Sequence, residues 1–430
     1  MVYSGRRIRF FLLLVVAIVL LAPAADSYSV LSHEQIVDLA WKDHIVPALL
    51  HRYPGATPDE LKVAHAYAYG GCVVQDMGYY PFGNHHFSDL VHYVRSGDFV
   101  TALLRESRNL SEYAFALGAL AHYASDTMGH PAVNRSVPIE FPKLKRKYGD
   151  VVTYGQDHQA HIRTEFGFDV VQVAKNRYTS DAYHEFIGFA VAKESLARAF
   201  LDTYGFDIGE IFPDEERTIG SFRWAVGELI PKMTKVALAT REKQIVKEYP
   251  SFERQKFLYH LSRSQYEHDW GKNYQRPGFG TRLLAFLIRL LPKIGPLKSL
   301  DIKNPTQETE QLYLASMNKS VELYNRLVDE TAHGNVQFAN KDFDTGRPTR
   351  PGEYRMCDDA YAFVVHKLAE HHFSGLKASL RSELLRFYAS ADPAPQFKKK
   401  KDREDWEKLQ GELAELRAVP AGNPVSKSQP

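Results

Sequence analysis

An all-α protein, a multi-helix bundle, is the fold this sequence predicts, and three observations predict it. Apolar residues recur at spacings of three and four, as at Ile36, Leu39 and Ala40 and again at Leu117, Leu120 and Ala121. Strictly alternating runs of the strand type are scarce. Helix-opening signals, a capping side chain followed by proline or a carboxylate, recur along the chain. With 430 residues, 44% hydrophobic and 25% charged, there is material for one large or two medium cores, and disorder is excluded for most of the length.

The first 27 residues stand apart. Arg6, Arg7 and Arg9 precede an apolar run over 10–21, and the small residues Ala22, Ala24, Ala25 and Ser27 follow. This pattern predicts a cleavable signal peptide over 1–27, because the run is short for a membrane span; an uncleaved anchor is the alternative. Arg6-Arg7 also permits a twin-arginine route. The protein is therefore expected to be exported, either periplasmic or secreted. Losing this segment, with its three arginines and Asp26, takes the formal charge from +2 to about zero. No bulk positive field then remains to collect nucleic acid.

Thr57-Pro58-Asp59-Glu60 supplies a capping hydroxyl, a proline in the first helical position and a carboxylate three after the cap, so a helix should run towards Cys72. Residues 78–84 are a turn-rich loop bearing Tyr79, Tyr80 and Phe82, either an aromatic cage for a head group or simply core. Ser111-Glu112 opens a helix through Met128, and Pro131 should stop it. Further helices are expected at about 156–176, 181–203, 215–246, 252–268, 281–291, 305–332, 355–373 and 376–389.

Composition divides the chain into the signal peptide, a catalytic part over 28–250, a helical C-terminal part over 251–390 packed on it, and a charged, mobile tail over 391–430 that includes a helix-forming stretch to Arg417. Cys72 and Cys357 are the two cysteines; export would permit a disulfide, which a chain of this size does not need. The stretch 282–300 sets Leu283, Leu284, Phe286 and Leu287 against Arg282, Arg289 and Lys293, and is a candidate for peripheral contact with an anionic bilayer. A buried helix is its competing reading, favoured because nearly every position is apolar.

Histidine is unevenly placed: 11 of 18 fall within the first 161 residues, several of them at helical spacing from a carboxylate. His122, Asp126 and His130 are spaced four and four, so one helix face presents two imidazoles around a carboxylate able to bridge two ions. The surrounding apolar residues would otherwise bury these groups unpaired. His161 and Glu165 repeat the spacing on a second helix; His158 competes with His161, but its fourth neighbour is Ile162, which cannot bind metal. Asp76 ends an apolar helix, and any of His85, His86 or His92 beyond it could complete a site.

Taken in order, His33, Asp76, His92, the run His122, Asp126 and His130, and the pair His161 and Glu165 resemble the zinc-dependent phospholipase C superfamily. That group takes in bacterial phospholipases C, glycosylphosphatidylinositol-specific phospholipase D and fungal single-strand nucleases, and the likeness covers roughly residues 28–170. It implies a phospholipase C/nuclease-like helical bundle around three Zn2+ ions. One ion would take Asp76, His92, His122 and Asp126; a second His130, His161 and Glu165; a third His33, Asp126 and the mature amino terminus. Cleavage after Ser27 would leave Tyr28 as that terminus, five positions before His33, with Ala22 and Ala24 offering a competing cut. The three residues between Asp126 and His130 match the phospholipase D branch, other branches having a longer spacing, and His92 is preferred for its apolar context, Leu90-Val91-His92-Tyr93.

The resemblance implies hydrolysis of a phosphodiester by zinc-activated water, with Asp76 both a ligand and the catalytic group that orients or deprotonates the water. A phospholipid is the expected substrate. A single-strand nuclease of the same chemistry is less favoured because no basic groove is visible, and a non-catalytic module with a closed metal site is the third reading. Oligomeric state is not encoded in any motif.

Overall fold

The computed structural model describes residues 30–174, 188–230, 304–334, 336–389 and 400–419. The signal segment 1–27, Tyr28, the helices expected at 252–268 and 281–291 and the candidate membrane stretch 282–300 lie outside the described residues. Among the described residues the regular structure is helical throughout, as the periodicity predicts; a lone antiparallel bridge joins Lys341 to Pro348.

Helix α1 (Val30–Ala40) passes through a π-helical turn (Trp41–Ile45) into α2 (Val46–Arg52). The next, α3 (Pro58–Cys72), opens on the expected capping box: Glu60 N donates to Thr57 Oγ1, and the Glu60 carboxylate accepts from Thr57 N at 2.8 Å. A 3₁₀ turn (Val74–Tyr79) carries Asp76 and leads through the aromatic loop to α4 (His85–Tyr93) and α5 (Ser96–Glu106). The centre of the molecule is α6 (Leu110–Glu140), 31 residues long and buried on nearly every side. Asn109 caps it by accepting from Glu112 N, two residues before the expected start at Ser111.

Pro131 does not stop α6, contrary to the sequence expectation; the helix continues through it and through Pro138. A helix-interior proline costs about 3 kcal/mol by removing one backbone bond and crowding a carbonyl, and here burial of the whole segment outweighs that cost. The Thr127 carbonyl, which residue 131 cannot serve, is covered instead by the backbone of Gly346, where φ is +69° and an added Cβ would lie 2.4 Å from that oxygen.

Two glycines bring α3 onto α6 at backbone contact. A Cβ on Gly71 would lie 2.0 Å from the Phe115 carbonyl oxygen, and one on Gly118 would lie 2.1 Å from that of Ala68. No side chain separates the two helices there, and Gln75 Nε2 donates across to Ala119 O at 2.9 Å.

After α6 come α7 (Pro142–Tyr148), α8 (His158–Ala174), α9 (Lys193–Tyr204) and α10 (Glu215–Trp224). Residues 188–192 are not helical, so the element expected at 181–203 begins later, and the one expected at 215–246 passes into a π turn (Ala225–Leu229). Along the other flank of α6 runs α11 (Gln307–His333), where Tyr324 OH donates to Leu117 O at 2.9 Å. Then α12 (Arg355–Glu370) packs on α4, followed by α13 (Ala378–Ala389) and α14 (Lys400–Ala418).

The predicted mobile tail is corrected over part of its length. Helix α14 buries Leu409, Leu413 and Leu416 against α12 and α13, and Glu412 pairs with His366. Its apolar residues recur at four and three inside a charged sequence, enough for a one-sided helix. Cys72 and Cys357 are both buried thiols and form no disulfide. No helix among the described residues is long and apolar enough to cross a membrane.

Candidate metal centre

Helix α6 turns His122, Asp126 and His130 to one side, where the α3–α6 contact, α4 and α1 converge. Asp126 is fully buried, and neither of its oxygens accepts a hydrogen bond. Four imidazole nitrogens surround it: His33 Nε2 lies 3.4 Å from Oδ1, and His122, His130 and His92 Nε2 lie 2.9, 3.4 and 3.5 Å from Oδ2.

Three of these rings are fixed from behind. His122 Nδ1 lies 2.9 Å from Cys72 O, a contact the close helix packing permits, and His92 Nδ1 lies 2.7 Å from Ser88 O one turn back on α4. Ser125 gives its hydroxyl proton to His122 O, so it accepts from His33 Nδ1 at 2.7 Å. With each Nδ1–H engaged by oxygen, each Nε2 lone pair faces inward, the usual orientation of a metal-ligating histidine.

Spacing supports the same conclusion. Donors sharing a tetrahedral zinc at 2.0–2.2 Å stand about 3.3–3.6 Å from one another. His92 Nε2 lies 3.4 Å from Asp76 Oδ1 and 3.4 Å from His122 Nε2, and His122 Nε2 lies 3.9 Å from Asp76 Oδ1. Asp76, His92 and His122 are therefore close enough together to share one ion, with Asp126 Oδ2 2.9 Å from His122 Nε2 and 3.5 Å from His92 Nε2.

A second set adjoins it. Helix α8 brings His161 Nε2 to 3.0 Å from His130 Nδ1 and 2.9 Å from Glu165 Oε1, with Glu165 Oε1 3.8 Å from His130 Nδ1. Both Glu165 oxygens are buried without a hydrogen bond. His161 rather than His158 is the residue that enters; His158 is exposed and packs on Tyr154.

The electrostatics of the two sets are strongly perturbed by burial and by one another. Burial opposes charge on His130 and His92, yet the neighbouring carboxylates override it, lifting His130 to about 10 and His92 well above its ordinary value. Burial pulls His161 down to about 3 and pushes the Glu165 carboxyl well up. Uncompensated buried carboxylates are costly, and a divalent ion among them replaces the protons.

Of the three histidines left open by the sequence, His92 is the one that faces Asp76 and Asp126. His85 and His86 sit at the outer end of α4, exposed and half-buried, and His86 stacks on Phe363 at 4.0 Å. The aromatic loop is not an open cage: Tyr79 and Tyr80 are buried, and exposed Phe82 lies under the Arg217 guanidinium.

Sequence reasoning missed the loop 338–354. Phe343 packs on His92 and His122, and buried Asp344 directs Oδ1 to 3.5 Å from His130 Nδ1. Its one sequence signal is Asp342-Phe343-Asp344-Thr345-Gly346, a turn pattern with no helical spacing to relate it to the histidines.

No curated protein and no solved structure matches this chain. The family model described as zinc dependent phospholipase C matches residues 32–211, the span that holds the eight residues His33, Asp76, His92, His122, Asp126, His130, His161 and Glu165. That match supports membership of the zinc-dependent phospholipase C family through residues 32–211.

Proposed function

We propose that this protein is an exported zinc-dependent phospholipase C that hydrolyses a phospholipid phosphodiester. The observation that carries the reading is Asp126, a fully buried carboxylate facing four imidazole nitrogens with no hydrogen bond to either oxygen. Such a group is stable in a protein interior only beside a cation, and mixed His and carboxylate donors suit zinc.

Asp76, His92, His122 and Asp126 would hold one ion, His130, His161 and Glu165 a second, and His33 with Asp126 a third, completed by the amino terminus if processing exposes Tyr28. Bound zinc would supply an activated water and neutralise the charge that builds on the phosphoryl oxygens. The protein's own part is to place and protect. Asp76, buried beside His92, would orient the attacking water and accept its proton. Asp126 fixes the spacing between donor sets, and the backbone acceptors behind His92 and His122 keep their rings from turning.

The test is hydrolysis of phosphatidylcholine against single-stranded DNA by the same zinc-loaded, signal-processed sample. Turnover of phosphatidylcholine supports the proposal. Turnover of DNA alone would replace it with a nuclease, and no turnover of either with zinc bound would remove the phospholipase reading.

A further inference from the structure

The three donors of the second set leave a fourth position, and the loop that follows α11 points a carboxylate at it. We propose that Asp344 Oδ1 is a protein ligand of the ion held by His130, His161 and Glu165, an inference that rests on the zinc-site reading above. Its Oδ1 stands 3.5 Å from His130 Nδ1, within the separation of about 3.3–3.6 Å expected of two donors on one zinc. The separations among His130, His161 and Glu165 themselves, 3.0, 2.9 and 3.8 Å, bracket the same value.

The mounting of Asp344 fits that role. Its Oδ2 accepts hydrogen bonds from Tyr93 OH at 2.9 Å and from Tyr354 OH, so rotation of the carboxylate is fixed and Oδ1 is the oxygen left to face His130. Its backbone is held on both sides: the amide donates to Asp342 Oδ1 at 2.9 Å, and the carbonyl accepts from Asn134 Nδ2 at 2.6 Å, one turn beyond His130 on α6. Gly346, folded at positive φ against the Thr127 carbonyl, seats the loop two residues later. Asp344 is thus a rigidly held buried carboxylate, and Glu165, equally buried and with no hydrogen bond to either oxygen, is the other carboxylate of the proposed set.

Two consequences follow. With two imidazoles and two carboxylates this ion would have a closed set of protein donors and no open position for the attacking water. The C-terminal part, which lies outside residues 32–211, becomes a component of the metal centre, and zinc joins it to α6 and α8.

The experiment compares zinc per chain, by elemental mass spectrometry after exhaustive dialysis, in the full-length parent and in Asp344→Asn, with circular dichroism to establish folding. The expected result is one zinc ion fewer in the variant, with unchanged helicity. An Asp344→Asn protein that retains as much zinc as the parent overturns the proposal. Should that variant not fold, cobalt-loaded Asp344→Cys decides: a thiolate-to-cobalt charge-transfer band absent from the cobalt-loaded parent supports it, and no such band overturns it. A parent that binds no zinc would instead fail the zinc-site reading itself, so the two failures are separable.

Discussion

Replacing Gly118 with alanine tests whether the α3–α6 contact builds the metal centre. The new Cβ would lie 2.1 Å from Ala68 O, 2.9 Å from Ala68 C and 2.9 Å from Cys72 N, all backbone atoms that no rotamer can move. Relief to an ordinary contact requires the helices to part by about 1 Å, since overpacked cores respond by backbone shifts. Such a shift lengthens the 2.9 Å contact from His122 Nδ1 to Cys72 O beyond hydrogen-bond range and carries Asp76 away from His122 and His92. Overpacking costs about 1–3 kcal/mol and one lost buried hydrogen bond about 1 kcal/mol, a loss of about 2–4 kcal/mol in all. Urea melts of metal-free protein read the stability, and zinc content reads the site. Gly220→Ala is the control: its Cβ would meet nothing within 4 Å, and at this exposed position of α10 it should stabilise by up to about 1 kcal/mol. If Gly118→Ala melts within about 0.5 kcal/mol of the parent and binds the same zinc, the backbone contact does not position the ligands.

Three further outcomes are expected. Leu413→Ala should cost about 2–5 kcal/mol, because that side chain is fully buried under α12 and α13; an unchanged melt would return α14 to the status of an appendage. Chelation of the loaded protein should lower its melting temperature, and added zinc should restore it, since ligand binding to the folded state alone is stabilising; a melt indifferent to chelator would show that no ion is held. Burial, with the His85 charge beside it, pulls His86 down to about 4, so its neutral form stabilises the fold above the unfolded value near 6.5, and that contribution is lost as pH falls through about 4. Between pH 7 and 4 the parent should therefore lose more stability than His86→Gln, and parallel curves would refute the assignment.

Much of the site was legible because its signals are local. His122, Asp126 and His130, like His161 and Glu165, declare their shared faces through spacing alone, and Thr57 with Glu60 marks a helix start through adjacent residues. What escaped depends on partners distant in the chain. Pro131 reads as a helix stop until the burial around it and the cover that Gly346 gives the Thr127 carbonyl are known. Gly71 and Gly118 look like weak helix positions, and only the facing helix explains them. Asp344 has no periodic relation to any histidine, and the tyrosines that mount it, Tyr93 and Tyr354, come from opposite halves of the chain. In α14 the charged stretch to Arg417 reads as helix-forming, but the charged background concealed the face on which Leu409, Leu413 and Leu416 pack.

The most direct test of the central claim is zinc per chain in the parent and in Asp126→Asn, purified identically and shown by circular dichroism to be folded. Asp126 faces His33, His92, His122 and His130 at once, so removing its charge should collapse the metal content. A folded Asp126→Asn protein with the parent's full zinc complement would contradict the account.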